Sequence, residues 1–365
     1  MVETLPVINP ATEALIAAVP MDTADTIAKK VQQARQAQPG WAATDLAERI
    51  AAVRTFRNLL VDQVDTLAAT LTAETGKPIA QARYEILTTA ERTDFFLETV
   101  AAVLVSQRVY QEPWQSMPGT GQLEEVLAYE PLGVVVNISA WNYPYFVGSN
   151  VFVPALLTGN AMLYKPSEIA PMTGQAIAAL FHQAGVPADV FMPVIGTGLA
   201  GAALLEQPVD GVFFTGSYAT GQKIAIAAAP KLIKLQLELG GKDPAYVCED
   251  VDVVTAATSL ADGAFYNNGQ SCCAVERIYV HEHIYASFLK TFVETVKGFK
   301  LGDPTDPDTY LGPLSRKPQR QILEQQVQDA VAKGAQLLCG GQSSVRSGFY
   351  FEPTVLGAVT HEMTV

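Results

Sequence analysis

Two adjacent cysteines, Cys272 and Cys273, follow Gly269-Gln270-Ser271, and Glu238 stands 34 residues before the first of them inside Leu237-Glu238-Leu239-Gly240-Gly241-Lys242. A thiolate is a strong nucleophile and a carboxylate can serve as a general base, so these residue types could run covalent catalysis. Two more polar segments are Ala140-Trp141-Asn142-Tyr143-Pro144 and Lys165-Pro166-Ser167-Glu168. A fourth runs from Phe214 to Gly221 and places Gly216 and Gly221 in a Gly-x-x-x-x-Gly turn. It is not the Gly-x-Gly-x-x-Gly fingerprint and it carries no Walker lysine. Each segment alone also has a plain reading. A cysteine is more often a small buried hydrophobe. An Asn before an aromatic is usually a turn residue, and a Glu in an apolar strand can simply be hydrogen-bonded.

The elements that must position these segments follow from periodicity. Residues 22–106 read as helices. Asp22 and Thr23 offer N-caps for one ending near Pro39-Gly40. Ile50, Val53, Phe56, Leu59 and Leu60 recur at helical spacing within residues 43–75, and Gly76-Lys77-Pro78 ends that run. Residues 107–114 and 122–129 are extended runs around Ser116-Met117-Pro118-Gly119, which predicts a projecting hairpin. From residue 131, strands over 133–138, 161–165, 190–195 and 212–215 alternate with helices over 147–158, 172–185, 198–206 and 219–229. That alternation predicts an α/β fold: a parallel sheet with helices on both faces and ligands at the carboxyl ends of its strands. A second alternating block follows. It has strands over 244–248, 277–281 and 336–339, and helices over 252–267, 284–298 and 315–334.

Composition narrows the function classes. The 365 residues are 49% hydrophobic and 17% charged, enough to bury a large core in more than one domain and too apolar for a disordered chain. Lys and Arg number 24 against 37 Asp and Glu, a net charge of −13 that repels phosphate backbones, so nucleic acid is not an expected partner. Four cysteines, two of them adjacent, make no disulfide framework and fit a reducing, cytoplasmic setting. Glu3 and Glu13 interrupt the first twenty residues, and no basic segment precedes an apolar one, so no signal peptide is expected. No run reaches the ~18 apolar residues of a membrane span. His182, His281, His283 and His361 form no ligand cluster with the site cysteine, and no metal is expected.

Taken together, in this order and at these spacings, the four segments resemble the aldehyde dehydrogenase superfamily. The resemblance begins at Asn9-Pro10-Ala11-Thr12 and runs to the last residue. It implies a Rossmann-like cofactor domain over residues 1–106 and 131–240, an oligomerisation hairpin over 107–130 and a second α/β catalytic domain over 241–365. The Gly-Gln-x-Cys pattern selects Cys272 as nucleophile and leaves Cys273 as a packing residue beside it, while Cys248 and Cys339 read as core. Asn142 and the backbone N–H of Cys272 would hold the oxyanion, and Glu238 would activate the hydrolytic water. The apolar neighbours Leu237 and Leu239 suggest a raised pKa for Glu238.

The same resemblance implies a nicotinamide cofactor. Lys165 and Glu168 would meet the adenosine ribose, and Ser217 would sit near the pyrophosphate at a helix N-terminus. Trp141, Gly216, Gly221 and Leu239 complete the implied cofactor set. A carboxylate at Glu168 opposes a 2′-phosphate and favours NAD, with NADP possible. Tyr143, Val147 and Asn150 would line the substrate tunnel, with Ser271 and Cys273 beside the nucleophile. Relatives acting on succinate semialdehyde tend to carry Arg eight residues after the oxyanion Asn, whereas Asn150 stands there. The expected substrate is therefore a neutral aliphatic or aromatic aldehyde.

Family members usually run longer. The Glu-x-Phe-Gly-Pro element expected next does not occur before the chain ends at Val365. A fragment of a longer protein, forming a homodimer or homotetramer when complete, is the expectation. Two alternatives are a coenzyme A-acylating relative, which would generally lack a glutamate at the Glu238 position, and a non-catalytic chain acting as a binding or assembly partner.

Overall fold

A computed structural model describes residues 3–113 and 122–365. The chain opens with an antiparallel pair, β1 (Thr4–Ile8) and β2 (Leu15–Pro20), which the sequence reading does not assign. Four helices follow: α1 (Ala24–Ala43), α2 (Leu46–Asp62), α3 (Val64–Thr75) and α4 (Ile79–Val103). Thr23 caps α1 in a reciprocal capping box with Thr26. The predicted stop at Pro39-Gly40 is wrong: α1 runs through Pro39. Its last turn is anchored from outside, because Gln38 donates to the Gly159 carbonyl at 3.0 Å and the buried Trp41 indole to the Leu156 carbonyl at 2.9 Å. The periodic stretch 43–75 is two helices, broken at Gln63, where φ is −107°. Gly76, at φ 77°, closes α3, and a Cβ there would come within 2.6 Å of the Pro313 ring.

The predicted hairpin is formed by β3 (Gln107–Pro113) and β4 (Gln122–Leu127), paired antiparallel. Its predicted turn, Ser116-Met117-Pro118-Gly119, lies outside the described residues. Val109, Val126 and Leu127 on it are exposed.

The central sheet holds β5 (Val134–Ile138), β6 (Ala161–Lys165), β7 (Phe191–Pro193), β8 (Gly211–Gly216) and β9 (Lys234–Leu239). The crossover helices are α5 (Pro144–Leu157), α6 (Pro171–Gln183), α7 (Gly198–Glu206) and α8 (Tyr218–Ala228). All pairings are parallel, in the order β7-β6-β5-β8-β9. Every residue of β5 and β6 is buried, as expected for strands covered on both faces. On one face Ile27, Val134, Val136, Leu163, Val212 and Phe214 pack together. On the other, Phe56, Phe152, Phe181 and Phe191 form an aromatic core, with Phe56 and Phe181 stacked at 3.8 Å. Each such buried ring contributes ~1.5–3 kcal/mol.

The remaining elements are β10 (Asp243–Val247), α9 (Val253–Phe265), β11 (Val275–Val280), α10 (Tyr285–Gly298), α11 (Lys317–Ala332), β12 (Gln336–Cys339) and β13 (Val355–Gly357). β10 and β11 are parallel and share a core of Val247, Ala257, Ala261, Phe288, Phe292 and Val296 with α9 and α10. Two expectations fail here. The helix predicted over 252–267 stops at Phe265, because Asn267, Asn268 and Gly269 all adopt positive φ, at 54°, 58° and 70°. Cys248 is not core: it follows the last residue of β10 and is exposed, while Cys339 is half-buried.

Candidate active site

Strand order reverses between β5 and β8, and sheets of this kind take ligands in the crevice outside the carboxyl ends of the strands at such a point. The site residues of the central sheet cluster at those ends. β5 leads into Asn142, β6 ends at Lys165 with Glu168 just beyond, β8 ends at Gly216 before Ser217, and β9 ends with Glu238 and Leu239.

Cys272 comes from the other sheet, on the loop between α9 and β11. Three successive left-handed residues turn the chain there. Asn tolerates that conformation better than most residues, and Gly tolerates it freely. The Asn268 amide locks the turn by donating to the Gly312 and Pro313 carbonyls at 2.6 and 3.0 Å and accepting from the Gly312 N–H at 3.1 Å. Cys272 and Cys273 are both exposed, so Cys273 is not the packing residue expected. Partial burial, then the neighbouring Cys273, pushes the Cys272 thiol above its ordinary range.

The two loops meet directly. The Asn142 side-chain amide donates to the Gln270 carbonyl at 3.0 Å, two residues before Cys272. The Tyr143 and Ser271 hydroxyls lie 2.5 Å apart. Thus Asn142, Tyr143 and Ser271, named from sequence, come together beside Cys272.

Glu238 is exposed on β9, and its carboxylate accepts from the Gln236 side chain at 3.2 Å. The flanking leucines do not cover it, because successive strand residues point to opposite faces. Leu239 packs instead beneath α8, where a Cβ on Gly221 would sit 2.7 Å from it. Gly221 therefore lets α8 approach β9. Ser217 caps α8 by accepting from the Thr220 N–H at 3.4 Å. The Lys165 ammonium is buried, donates to the Pro166 carbonyl at 3.1 Å and lies 3.9 Å from the half-exposed Glu168 carboxylate. Burial lowers the Lys165 pKa and Glu168 opposes that.

The sequence profile of the aldehyde dehydrogenase family matches residues 1–365. The chain belongs to the aldehyde dehydrogenase family. Its fold is similar to that of lactaldehyde dehydrogenase from Escherichia coli, at TM-score 0.90 and 35% identity, covering 99% of this chain and 75% of that one. An E. coli NADP-dependent enzyme superposes at TM-score 0.92 with 32% identity, covering 99% of this chain and 74% of the other. A mutant of aldehyde dehydrogenase C from Pseudomonas syringae, in complex with NAD+ and octanal, matches at 0.90 and 31%, covering 99% and 73%.

Within this aldehyde dehydrogenase fold, sequence reasoning missed four residues. Lys77 and Glu85 form a buried ion pair under the Asn142 loop, and Gln81 holds Asn267. The available signal was a lysine in a helix-stopping tripeptide followed by a row of polar residues four apart, Gln81, Glu85, Thr89 and Thr93, on the buried side of α4. The fourth is Arg92. Tyr143, just before α5, and Val147 and Asn150 on it are all partly exposed, and the Arg92 guanidinium donates to the Asn150 side chain at 2.8 Å while lying over the Phe95 and Phe96 rings. An arginine thus reaches, from α4, the residue expected from sequence to line a substrate tunnel.

Among the described residues, Glu249, His281 and His283 are the one group of three metal-ligating types, and they lie near the surface. Their ligand atoms all lie within 4.8 Å of one another, with the Glu249 carboxylate 2.9 Å from His283 Nδ1 and 3.8 Å from His281 Nδ1. A cavity of about 650 Å³ runs behind the loop bearing Cys272, between β11, α10 and residues 351–365, and none of Cys272, Asn142 and Glu238 lines it. Among the described residues no helix is long and apolar enough to cross a membrane.

Proposed function

We propose that this chain oxidises an aldehyde to a carboxylate with NAD(P) through a thioester on Cys272. The observation that carries the reading is the Asn142 amide held 3.0 Å from the Gln270 carbonyl, which puts a donor beside the nucleophile's loop. The Cys272 sulfur attacks the aldehyde carbon as its proton leaves to a base, forming a C–S bond and an alkoxide. The Asn142 amide and the Cys272 N–H stabilise that oxyanion; one such donor is typically worth ~2.7–4 kcal/mol of barrier. A bound nicotinamide would accept the hydride, leaving the thioester. Glu238 takes a proton from water, the water oxygen attacks the acyl carbon, and the C–S bond breaks to free the acid.

The residues present fit the cofactor. The Lys165 and Glu168 pair offers a donor and an acceptor suited to ribose hydroxyls, and the first N–H groups of α8 suit a pyrophosphate. The similarity to structures described as NADP-dependent or as holding NAD+ supports the same class. We read Trp141 and Leu239 as flanking that crevice. The three hydrophobic cores support a cofactor lobe over residues 1–106 and 131–240 and a catalytic lobe over 241–365. The substrate class is an aldehyde, with Arg92 beside Asn150 available to polar groups distant from the carbonyl.

The test is a rapid-quench measurement on Glu238→Gln. One equivalent of NAD(P)H per site should form at near-normal rate, followed by a stall with acyl-enzyme accumulated. Normal steady turnover by this variant would refute Glu238 as the base.

A further inference from the structure

Both halves of the site rest on the buried residues of one stretch, 75–85, that neither half contains. The Lys77 ammonium is almost wholly buried. It donates to the Glu85 carboxylate and, at 2.5 Å, to the Asn142 carbonyl, and it lies 4.0 Å from the centre of the Tyr143 ring. An ammonium has three donors and no acceptor, and here it faces two oxygens and a ring face. The other Glu85 oxygen accepts from the Tyr145 and Phe146 N–H groups at 2.9 and 3.3 Å, in the first turn of α5. Farther along, the Gln81 side-chain oxygen Oε1 accepts from the Asn267 N–H at 3.0 Å, and its side-chain amide donates to the Tyr310 carbonyl at 2.9 Å. Ser315 donates through its hydroxyl to the Thr75 carbonyl at 2.6 Å and through its N–H to the Gln270 side chain at 3.1 Å. Asn142 and the Cys272 loop are therefore fastened to the same turn.

A buried ion pair is weak support for stability, since replacing both charges by neutral groups is often neutral in free energy. What this pair does is directional. Asn142 has its carbonyl held by Lys77 while its side-chain amide reaches Gln270. A rotated Asn142 peptide would swing that amide away from the nucleophile's loop.

We propose that Lys77, braced by Glu85, is a positioning residue that aims the Asn142 amide at the oxyanion formed on Cys272. This rests on the roles given to Asn142 and Cys272 above. Misplacement by about 1 Å can slow a reaction on the order of 100-fold, so the expected loss is ~10- to 100-fold.

The test uses a reaction that needs no cofactor. An activated ester such as 4-nitrophenyl acetate acylates the Cys272 thiolate through a tetrahedral oxyanion and expels 4-nitrophenolate. First-turnover release is measured by stopped flow for the unmodified protein, Lys77→Met/Glu85→Gln, Asn142→Ala and the triple variant, with Tm recorded for each. The paired variant should keep its Tm within a few degrees and slow acylation by ~10- to 100-fold. The triple variant should be no slower than Asn142→Ala alone. Equal slowing by Lys77→Met/Glu85→Gln with and without Asn142, or no slowing at all, overturns the proposal. An unslowed Asn142→Ala removes the oxyanion reading itself and the positioning role with it. If the paired variant does not fold, Glu85→Gln takes its place. It should slow acylation by a smaller factor, again only where Asn142 is present, and an unslowed Glu85→Gln overturns the proposal.

Discussion

Tyr143 and Ser271 join hydroxyls at 2.5 Å, linking the loop after β5 to the residue before Cys272. Burial pushes the Tyr143 phenol up to about 12, so it keeps its proton throughout the working pH range, and either hydroxyl can be the donor. Tyr143→Phe removes this tie and nothing else in volume. Stability should fall by ~0.5–1.5 kcal/mol and kcat by a few-fold. Thermal melts and steady-state kinetics check this. An unchanged kcat would show that the two loops keep their relation without the hydroxyl pair.

The adjacent cysteines should differ sharply in effect. Cys272→Ser replaces a thiol with a far weaker nucleophile and should abolish aldehyde oxidation, while Cys273→Ala should keep most of it. Mass spectrometry of the trapped acyl-enzyme places the acyl group. An inactive Cys273→Ala with an active Cys272→Ser would reverse the assignment.

The Cys272 thiol titrates above its ordinary range because of partial burial first and Cys273 second. Only the thiolate reacts with an alkylating reagent, so its population grows as pH rises toward that elevated pKa. Without cofactor, the iodoacetamide rate at Cys272 should still be climbing above the ordinary thiol midpoint of ~8.5. Cys273→Ala removes one opposing charge and should move the profile to lower pH. A plateau by about pH 8 in the unmodified protein would contradict the thiol environment described.

Glu168 should set cofactor choice. Its carboxylate is about half exposed beside Lys165 and would face a 2′-phosphate with like charge. A several-fold or larger preference for NAD in kcat/KM is expected, narrowed or reversed in Glu168→Ser. Equal kcat/KM for the two cofactors in the unmodified protein would rule this out.

Much of the fold was legible because parallel strands buried on both faces are short and uniformly apolar. The strand predicted over 161–165 coincides with β6, and the predicted hairpin pairs as expected. Errors fall where long-range contacts override local signals. Pro39 does not end α1, because Trp41 is held by the last turn of α5 and Gln38 by Gly159 just beyond it. Asn267 and Asn268 look like the end of a helix in sequence, but left-handed backbone makes them the turn that presents Cys272. Glu238 seemed shielded by its leucines, a reading that ignored strand alternation. Lys77 looked like punctuation, because nothing local reveals that its partners are Glu85 and the Asn142 carbonyl.

The tie between the Ser315 hydroxyl and the Thr75 carbonyl spans 240 positions of chain, and the one between Gln81 and Asn267 spans 186. Closing loops of that length carries an entropic penalty before any contact offsets it. On a ribosome, residues 75–85 emerge long before the residues they must hold. The helices around Phe56 and the central sheet can begin to collapse first, while the loop bearing Cys272 gains its ties to Gln81, Asn142 and Tyr143 only once residues 267–271 have been made, and its tie through Ser315 later still. The loop bearing Cys272 is thus among the later parts of the chain to be fastened, and its fastening depends on helices made some two hundred residues earlier.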